Sequence, residues 1–182
     1  MITTSIMQII QERRTIRQFS NQPLEIDTIR DIIDVARWAP HHAKTEPWRL
    51  ILFHGEQRQQ IIHMAEKTYT HLSETALSAF ISYLKTVPAF LVVVMEQREN
   101  RKHWEDDLCA TSTLIQNIQL VGWEKQVGMV LRTYGEQMTS RIKEYLGVHQ
   151  DEKIVGILQM GYFDDAPIAT QRKSVDELLT IM

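Results

Sequence analysis

One uninterrupted stretch, Trp104 to Lys125, limits the possible folds of this chain more than any other feature. It contains no proline, and no glycine before Gly122, which predicts a single long helix. Its apolar and small residues lie around much of the helix circumference, namely Leu108, Ala110, Leu114, Ile115, Ile118 and Val121. A helix of this kind is usually buried on several sides, so we expect it in a large core or between two subunits.

The segments on both sides of this helix predict an α+β or α/β fold with a sheet of four or five strands. The predicted strands are Trp48 to His54, Phe90 to Met95, Val127 to Arg132 and Ile154 to Met160. Helices are expected at residues 6–10, from an N-cap at Asp27 towards Pro40, within 57–86, and at 139–146. The weakly organised segment 57–86 is where a lid or an insertion would lie, and a polar tail, 164–182, ends in a short helix. No repeat or linker divides the chain, so we expect a single domain over residues 1–182.

Composition and charge exclude several classes of protein. Hydrophobic residues make up 43% of the chain and charged residues 24%, which is typical of a globular protein. A net charge of -3 and a pI of about 6.2 argue against nucleic-acid binding. The single cysteine, Cys109, cannot close an intrachain disulfide, and no segment resembles a signal peptide or a membrane span. We therefore expect a cytoplasmic protein with no membrane or nucleic-acid partner.

Three arginines follow the first predicted helix within the segment Arg13-Arg14-Thr15-Ile16-Arg17. A guanidinium group donates two parallel hydrogen bonds and stays charged at any relevant pH, which suits a phosphate ligand. The hydroxyl of Thr15 adds a neutral donor. For an isolated motif of this kind, a solvated surface cluster is the more common interpretation.

Two further segments could contribute to a site. The loop between Trp38 and Trp48 offers polar side chains on a backbone stiffened by two prolines: His41, His42, Lys44 and Glu46. Neither histidine has a partner at a ligand spacing, so we predict no metal site. At the end of the third strand, Arg132 and Thr133 could bind an anion. An equally good interpretation is that Arg132 only caps the turn that follows. The chain has no G-x-G-x-x-G, P-loop or G-x-S-x-G motif.

Taken together, these segments resemble the nitroreductase family. Arg13 to Phe19 is similar to its R-R-S-x-R-x-F signature, and Ala39 to Trp48 is similar to its A-P-S-x-x-N-x-Q-P-W loop. Residues 128–133 and 156–161 match its third and fourth landmarks. The short chain and the P-x-H-x-x-x-x-P-W form of the loop look most like the compact bacterial branch of the family.

The resemblance implies a nitroreductase-like α-β sandwich, with a mixed sheet of about five strands and the long helix at the interface of an obligate homodimer. It also implies FMN as cofactor, bound in two sites between the subunits, and NAD(P)H as electron donor. The acceptors would be small oxidised compounds such as nitroaromatics or quinones, reduced in a ping-pong mechanism. No protein residue would be catalytic, because the chemistry takes place at N5 of the flavin.

Carried over residue by residue, the resemblance assigns cofactor contacts to three parts of the chain. Arg13, Arg14, Thr15 and Arg17 would hold the phosphate and ribityl end of FMN, with Arg172 as a weaker phosphate candidate. His42 and Glu46 would reach the flavin from the partner chain, and Leu131, Arg132 and Thr133 would complete the site.

The loop departs from the family pattern, because Lys44 and Glu46 stand where the family often has Asn and Gln. Glu46 lacks an amide donor and, if ionised close to the flavin, would repel an anionic reduced form of it. The same resemblance is compatible with two other functions. One is a different flavin reaction, such as dehalogenation or flavin reduction, and the other is an FMN-binding sensor or storage protein with negligible turnover.

Overall fold

A sheet of four antiparallel strands lies at the centre of the fold in the computed structural model, which describes residues 5–182. The strands are β1 (Trp48–His54), β2 (Ala89–Glu96), β3 (Val127–Arg132) and β4 (Glu152–Tyr162). Their order across the sheet is β1-β2-β4-β3, so β1 and β3 form its two edges. All four predicted strands are confirmed, and β4 is longer at both ends than predicted.

Helices connect these strands. They are α1 (Ile6–Glu12), α2 (Ile26–Ala36), α3 (Arg58–Thr68), α4 (Glu74–Thr86), α5 (Arg101–Glu124), α6 (Glu136–Ile142) and α7 (Val175–Leu178). Short 3₁₀ turns occur at His42–Lys44, Gly55–Gln57 and Glu144–Leu146. The weakly organised segment 57–86 is therefore mainly two helices, and the short helix predicted in the tail is confirmed as α7.

Alternation along the strands sends their side chains into two separate cores. On one face, Leu91 and Leu158 pack with apolar residues of α2 and α5. On the other face, Phe90 and Ile157 pack with apolar residues of α3, α4 and α6. Because both faces of the sheet are covered, β2 is buried from Ala89 to Met95, which explains its unbroken apolar sequence.

The α+β class is confirmed, but the sheet is not the mixed sheet of about five strands that we expected. Every pairing between the four strands is antiparallel. The segment after α1 adds only one parallel bridge, between Thr15 and Met129, beyond the edge strand β3. In residues 5–182 of the single chain, no other segment pairs with the sheet, and the tail 164–182 is exposed.

Two helices, α2 and α5, begin earlier than predicted. Asn100 caps α5, since its Oδ1 accepts a hydrogen bond from the backbone N–H of His103 at 3.2 Å, and the helix therefore begins earlier than predicted. In α2 the N-cap is Glu25, without a side-chain cap bond, and Asp27 lies inside the first turn. There the Asp27 carboxylate still interacts favourably with the positive end of the helix dipole.

The long central helix is confirmed as α5. Its buried side chains, including Leu114 and Ile118, pack against α2 and the sheet of the same chain. Its outward face carries exposed residues that are polar or small, namely Glu105, Cys109, Ser112 and Gln116. One face of α5 is therefore open in the single chain, and its place in a dimer interface stays a prediction. Within residues 5–182, no helix combines the length and the apolar character needed to cross a membrane.

Candidate functional site

The segment that carries the arginine cluster lies against the free edge of β3. The backbone N–H of Ile16 donates to the carbonyl oxygen of Met129 at 3.0 Å, and that of Ser20 donates to Tyr162 O at 2.8 Å. Ile16 is only 1% exposed and lies directly over Gly128, where a Cβ atom would be 2.5 Å from Ile16 Cγ1. The missing side chain of Gly128 is therefore what lets this segment approach the sheet so closely.

Beside this segment lies a cavity of about 530 Å³, which its polar residues line. Four arginines line the cavity, and a threonine hydroxyl lies beside them: Arg13, Arg14, Arg17, Arg172 and Thr15. The tail supplies Arg172 together with the stretch from Pro167 to Thr170. No carboxylate belongs to the described residues that line this space, which we call the arginine cavity. The structure thus unites all the residues that the sequence assigned to a phosphate.

The arginines are held in different ways. Nη1 of Arg14 donates to the carbonyl oxygens of Gln11 at 2.7 Å and Arg13 at 2.9 Å, so this guanidinium closes the carboxyl end of α1. Arg13 is half-buried, and its Nη1 donates to Oε1 of Gln119 on α5 at 3.4 Å. Burial lowers the pKa of Arg13, and the positive charges of Arg14 and Arg172 lower it further. The cavity is therefore a crowded positive site that an anion would stabilise.

The second predicted part of the site lies at the far end of the same strand. Arg132 ends β3, about 10 Å from Met129 at the usual rise of a strand. Burial raises the pKa of Tyr69, while the neighbouring hydroxyl of Tyr134 and the guanidinium of Arg132 act in the opposite direction. Arg132 is therefore near enough for its charge to act on the hydroxyls of Tyr69 and Tyr134. Our sequence reasoning had not assigned Tyr69 or Tyr134 to the site.

A buried polar group lies next to these tyrosines. Tyr83 on α4 donates its hydroxyl to Oε1 of Gln159 on β4 at 2.5 Å, and Gln159 is only 3% exposed. Tyr69 and Phe80 pack with their ring centroids 4.8 Å apart, and both line a small cavity that Tyr134 and Gln159 also line. The only sequence signal for this polar group was Gln159, a polar residue within the apolar run of β4.

The loop that follows α2 does not reach the arginine cavity of its own chain. His42 and Glu46 are both exposed, and His42 instead lines a smaller cavity of about 180 Å³ with residues of α5, among them His103 and Asp106. Glu46 has a φ of 42° and Lys44 a φ of 56°, a left-handed backbone that non-glycine residues seldom adopt. That His42 and Glu46 contact a flavin in a partner chain stays a prediction.

The sequence matches the Nitroreductase family over residues 10–162, which is most of the chain. The chain belongs to the nitroreductase family. A relative from Bacillus subtilis (strain 168), provisionally named the NAD(P)H nitroreductase YfhC, is 36% identical over 179 residues, covering 96% of this chain and 92% of its own. The family recognised from the sequence is therefore confirmed, and with it membership of a family of oxidoreductases.

Solved structures of nitroreductase-like proteins share this fold. A nitroreductase-like family protein from Bacillus cereus has a TM-score of 0.92 and 30% identity, over 100% of this chain and 98% of its own. An iodotyrosine deiodinase bound to FMN and 3-iodo-L-tyrosine has a TM-score of 0.73 over 94% of this chain and 96% of its own. Because its identity is 20%, this second likeness shows the fold alone. The predicted nitroreductase-like fold is confirmed.

Proposed function

We propose that this member of the nitroreductase family is an FMN-dependent oxidoreductase that passes electrons from NAD(P)H to small oxidised acceptors, such as nitroaromatics and quinones. The observation that carries the proposal is the arginine cavity, in which four guanidinium groups converge without a carboxylate among the described lining residues. A phosphate monoester carries close to two negative charges at neutral pH and offers several strong acceptor oxygens. It is therefore the kind of group that this donor set would stabilise.

The individual side chains fit this role. In the part of the chain that the structure describes, neither Arg17 nor Arg172 makes an ion pair or a side-chain hydrogen bond, so both can donate to a ligand. Thr15 adds a hydroxyl donor on the same edge of β3. Arg14 covers the carbonyl end of α1, whose partial negative charge would otherwise repel a phosphate. Arg14 thus contributes by neutralising the helix end as much as by direct contact.

The end of β3 suits the ring end of the cofactor. A molecule with its phosphate near Thr15 and its ring near Leu131, Arg132 and Thr133 would run along about 10 Å of this strand. The positive charge of Arg132 would stabilise negative charge on the nearer edge of the ring. FMN, when bound, supplies the hydride and electron chemistry, so the chain needs no nucleophile of its own.

We propose that donor and acceptor occupy one face of the site in turn, which gives ping-pong kinetics. The sequence supports this, because it has no G-x-G-x-x-G motif that would provide a separate dinucleotide site. At the site, the work of the protein is then to bind the cofactor, to orient it and to set the charge around it.

We propose that the protein works as a homodimer with FMN between the subunits. Large apolar side chains are exposed on α1 and along the tail, including Met7, Ile10, Ile168, Leu178 and Ile181. Contiguous exposed apolar surface usually marks an interaction site. Ile10 and Ile168 also line the arginine cavity, so a partner that covers this surface would enclose the phosphate end of the cofactor. In such a dimer, His42 and Glu46 would come to each site from the other chain.

Dehalogenation is the second candidate, because the fold is shared with an iodotyrosine deiodinase over 94% of this chain. Initial rates measured with the FMN-loaded protein separate the two. We expect NAD(P)H-dependent reduction of nitroaromatics and quinones, with parallel lines in double-reciprocal plots. Release of iodide from an iodinated tyrosine at a higher rate than the reduction of nitroaromatics and quinones would favour dehalogenation. A protein that binds FMN but turns over neither class would be a flavin-binding protein, and one that does not take up FMN would refute the proposal.

A further inference from the structure

We propose that Gln119, on α5, is a positioning residue that holds the Arg13 guanidinium for the cofactor phosphate. The inference rests on the proposed function, because it takes the ligand of the arginine cavity to be FMN. Gln119 is not among the residues that line the cavity. Its contribution runs through the hydrogen bond of 3.4 Å from Arg13 Nη1 to Gln119 Oε1.

Arg13 needs a partner because its neighbours repel it. It is the C-cap residue of α1, and the charges of Arg14 and Arg172 lie close to its half-buried guanidinium. Without a fixed acceptor, a long side chain in such a field would turn away from the other two cations towards solvent. Ligand binding would then have to order the Arg13 side chain, and the entropy lost in doing so would weaken the affinity for the ligand.

An amide suits this task better than a carboxylate. A carboxylate would fix Arg13 more strongly, but it would cancel one positive charge and repel the phosphate. The neutral Oε1 of Gln119 accepts the hydrogen bond without changing the charge of the cavity. This agrees with the lack of any carboxylate among the described lining residues.

Gln119 also makes a long hydrogen bond within its own helix. Its Nε2 donates to the carbonyl oxygen of Ile115, one turn earlier in α5, at 3.5 Å. The amide is therefore oriented with its nitrogen towards its own helix and its oxygen towards Arg13. Helix α5 is the longest helix among residues 5–182 and packs against α1, α2 and the sheet, so it offers a rigid support.

The test compares FMN with riboflavin, which has the same ring and ribityl chain but no phosphate. Dissociation constants for both are measured by quenching of flavin fluorescence, for the wild type, Gln119→Ala and the control Gln59→Ala. Gln59 lies near the start of α3, on the other face of the sheet, is exposed, and has no side-chain hydrogen bond within residues 5–182. We expect Gln119→Ala to weaken FMN binding about threefold to tenfold and to leave riboflavin binding unchanged. The control should change neither.

A double-mutant cycle separates positioning from general stabilisation. In an Arg13→Ala background, Gln119→Ala should weaken FMN binding by less than about twofold, because its partner is already gone. Gln119→Met keeps most of the volume and serves if the alanine variant fails to fold; it should lose FMN affinity in the same way. Gln119→Glu should also weaken FMN binding, most clearly at low salt, because it adds a negative charge.

The outcomes distinguish this inference from the proposed function. If the wild type binds FMN no better than riboflavin, the phosphate site itself is wrong, and the role of Gln119 falls with it. If the wild type prefers FMN and Gln119→Ala keeps the full preference, the phosphate site stands and the role of Gln119 is refuted. Equal losses for FMN and riboflavin would show a merely structural residue and would also refute it.

Discussion

Gly128 lets the segment with Thr15 and Arg17 lie against β3, and a single added methyl group should displace that segment. A Cβ atom on Gly128 would lie 2.5 Å from Cγ1 of Ile16 and 2.7 Å from Cδ1 of Phe163. Ordinary carbon contacts lie at about 3.5–4.0 Å, so Ile16 would have to move outwards by about 1 Å. Because Ile16 is buried, we expect Gly128→Ala to reduce the free energy of unfolding by about 1–3 kcal/mol.

The same displacement should weaken the cofactor site. For a chain of this size the loss corresponds to a melting temperature lowered by about 2–12 °C, measurable by circular dichroism without FMN. Affinity for FMN should fall as well, because Thr15 and Arg17 move with Ile16. A Gly128→Ala protein with wild-type melting temperature and FMN affinity would refute this account of the segment.

Three further predictions concern the tail and the pairs that hold the sheet. Arg172→Gln should weaken FMN binding, whereas Arg30→Gln, an exposed arginine of α2, should not; equal affinities would contradict the role of the tail. The hydrogen bond from Arg49 lowers the pKa of Glu152, so the pair stabilises the fold above the ordinary carboxyl pKa of 4.5 and less as the pH falls below it. Glu152→Gln should therefore lower the free energy of unfolding at pH 7 by about 1 kcal/mol, and denaturant titrations should show this difference shrinking at acid pH rather than persisting. Tyr83→Phe removes the hydroxyl that pairs with a buried glutamine oxygen and should cost about 1–3 kcal/mol in the same titrations; an unchanged midpoint would refute that.

Much of the fold was predictable because its strands have strong local signals. The β-branched run of β2, Val92 to Val94, predicts a buried strand wherever it lies in the chain. The number and direction of the strands depend instead on which segments meet in space. The segment at Thr15 has too few pairings to extend the sheet beyond one bridge, and no periodicity in its sequence reveals this.

The arginine cluster was also predictable, whereas its surroundings were not. Arg13 and Arg17 are close in sequence, but Arg172 joins them only because the tail folds back towards α1. Gln119 lies in a helix, and Tyr69 directly after one, whose sequences carry no motif. Their roles follow from contacts between distant elements. The left-handed backbone at Glu46 had no signal either, because no glycine or asparagine stands there.

The central claim is that this chain holds FMN and reduces it with a nicotinamide donor. The most direct test is the absorbance spectrum of the FMN-loaded protein without oxygen, recorded while NADH or NADPH is added. We predict that the yellow flavin absorbance bleaches with at least one donor and returns when a nitroaromatic or a quinone is added. A flavin-loaded protein whose spectrum neither donor changes would contradict the claim.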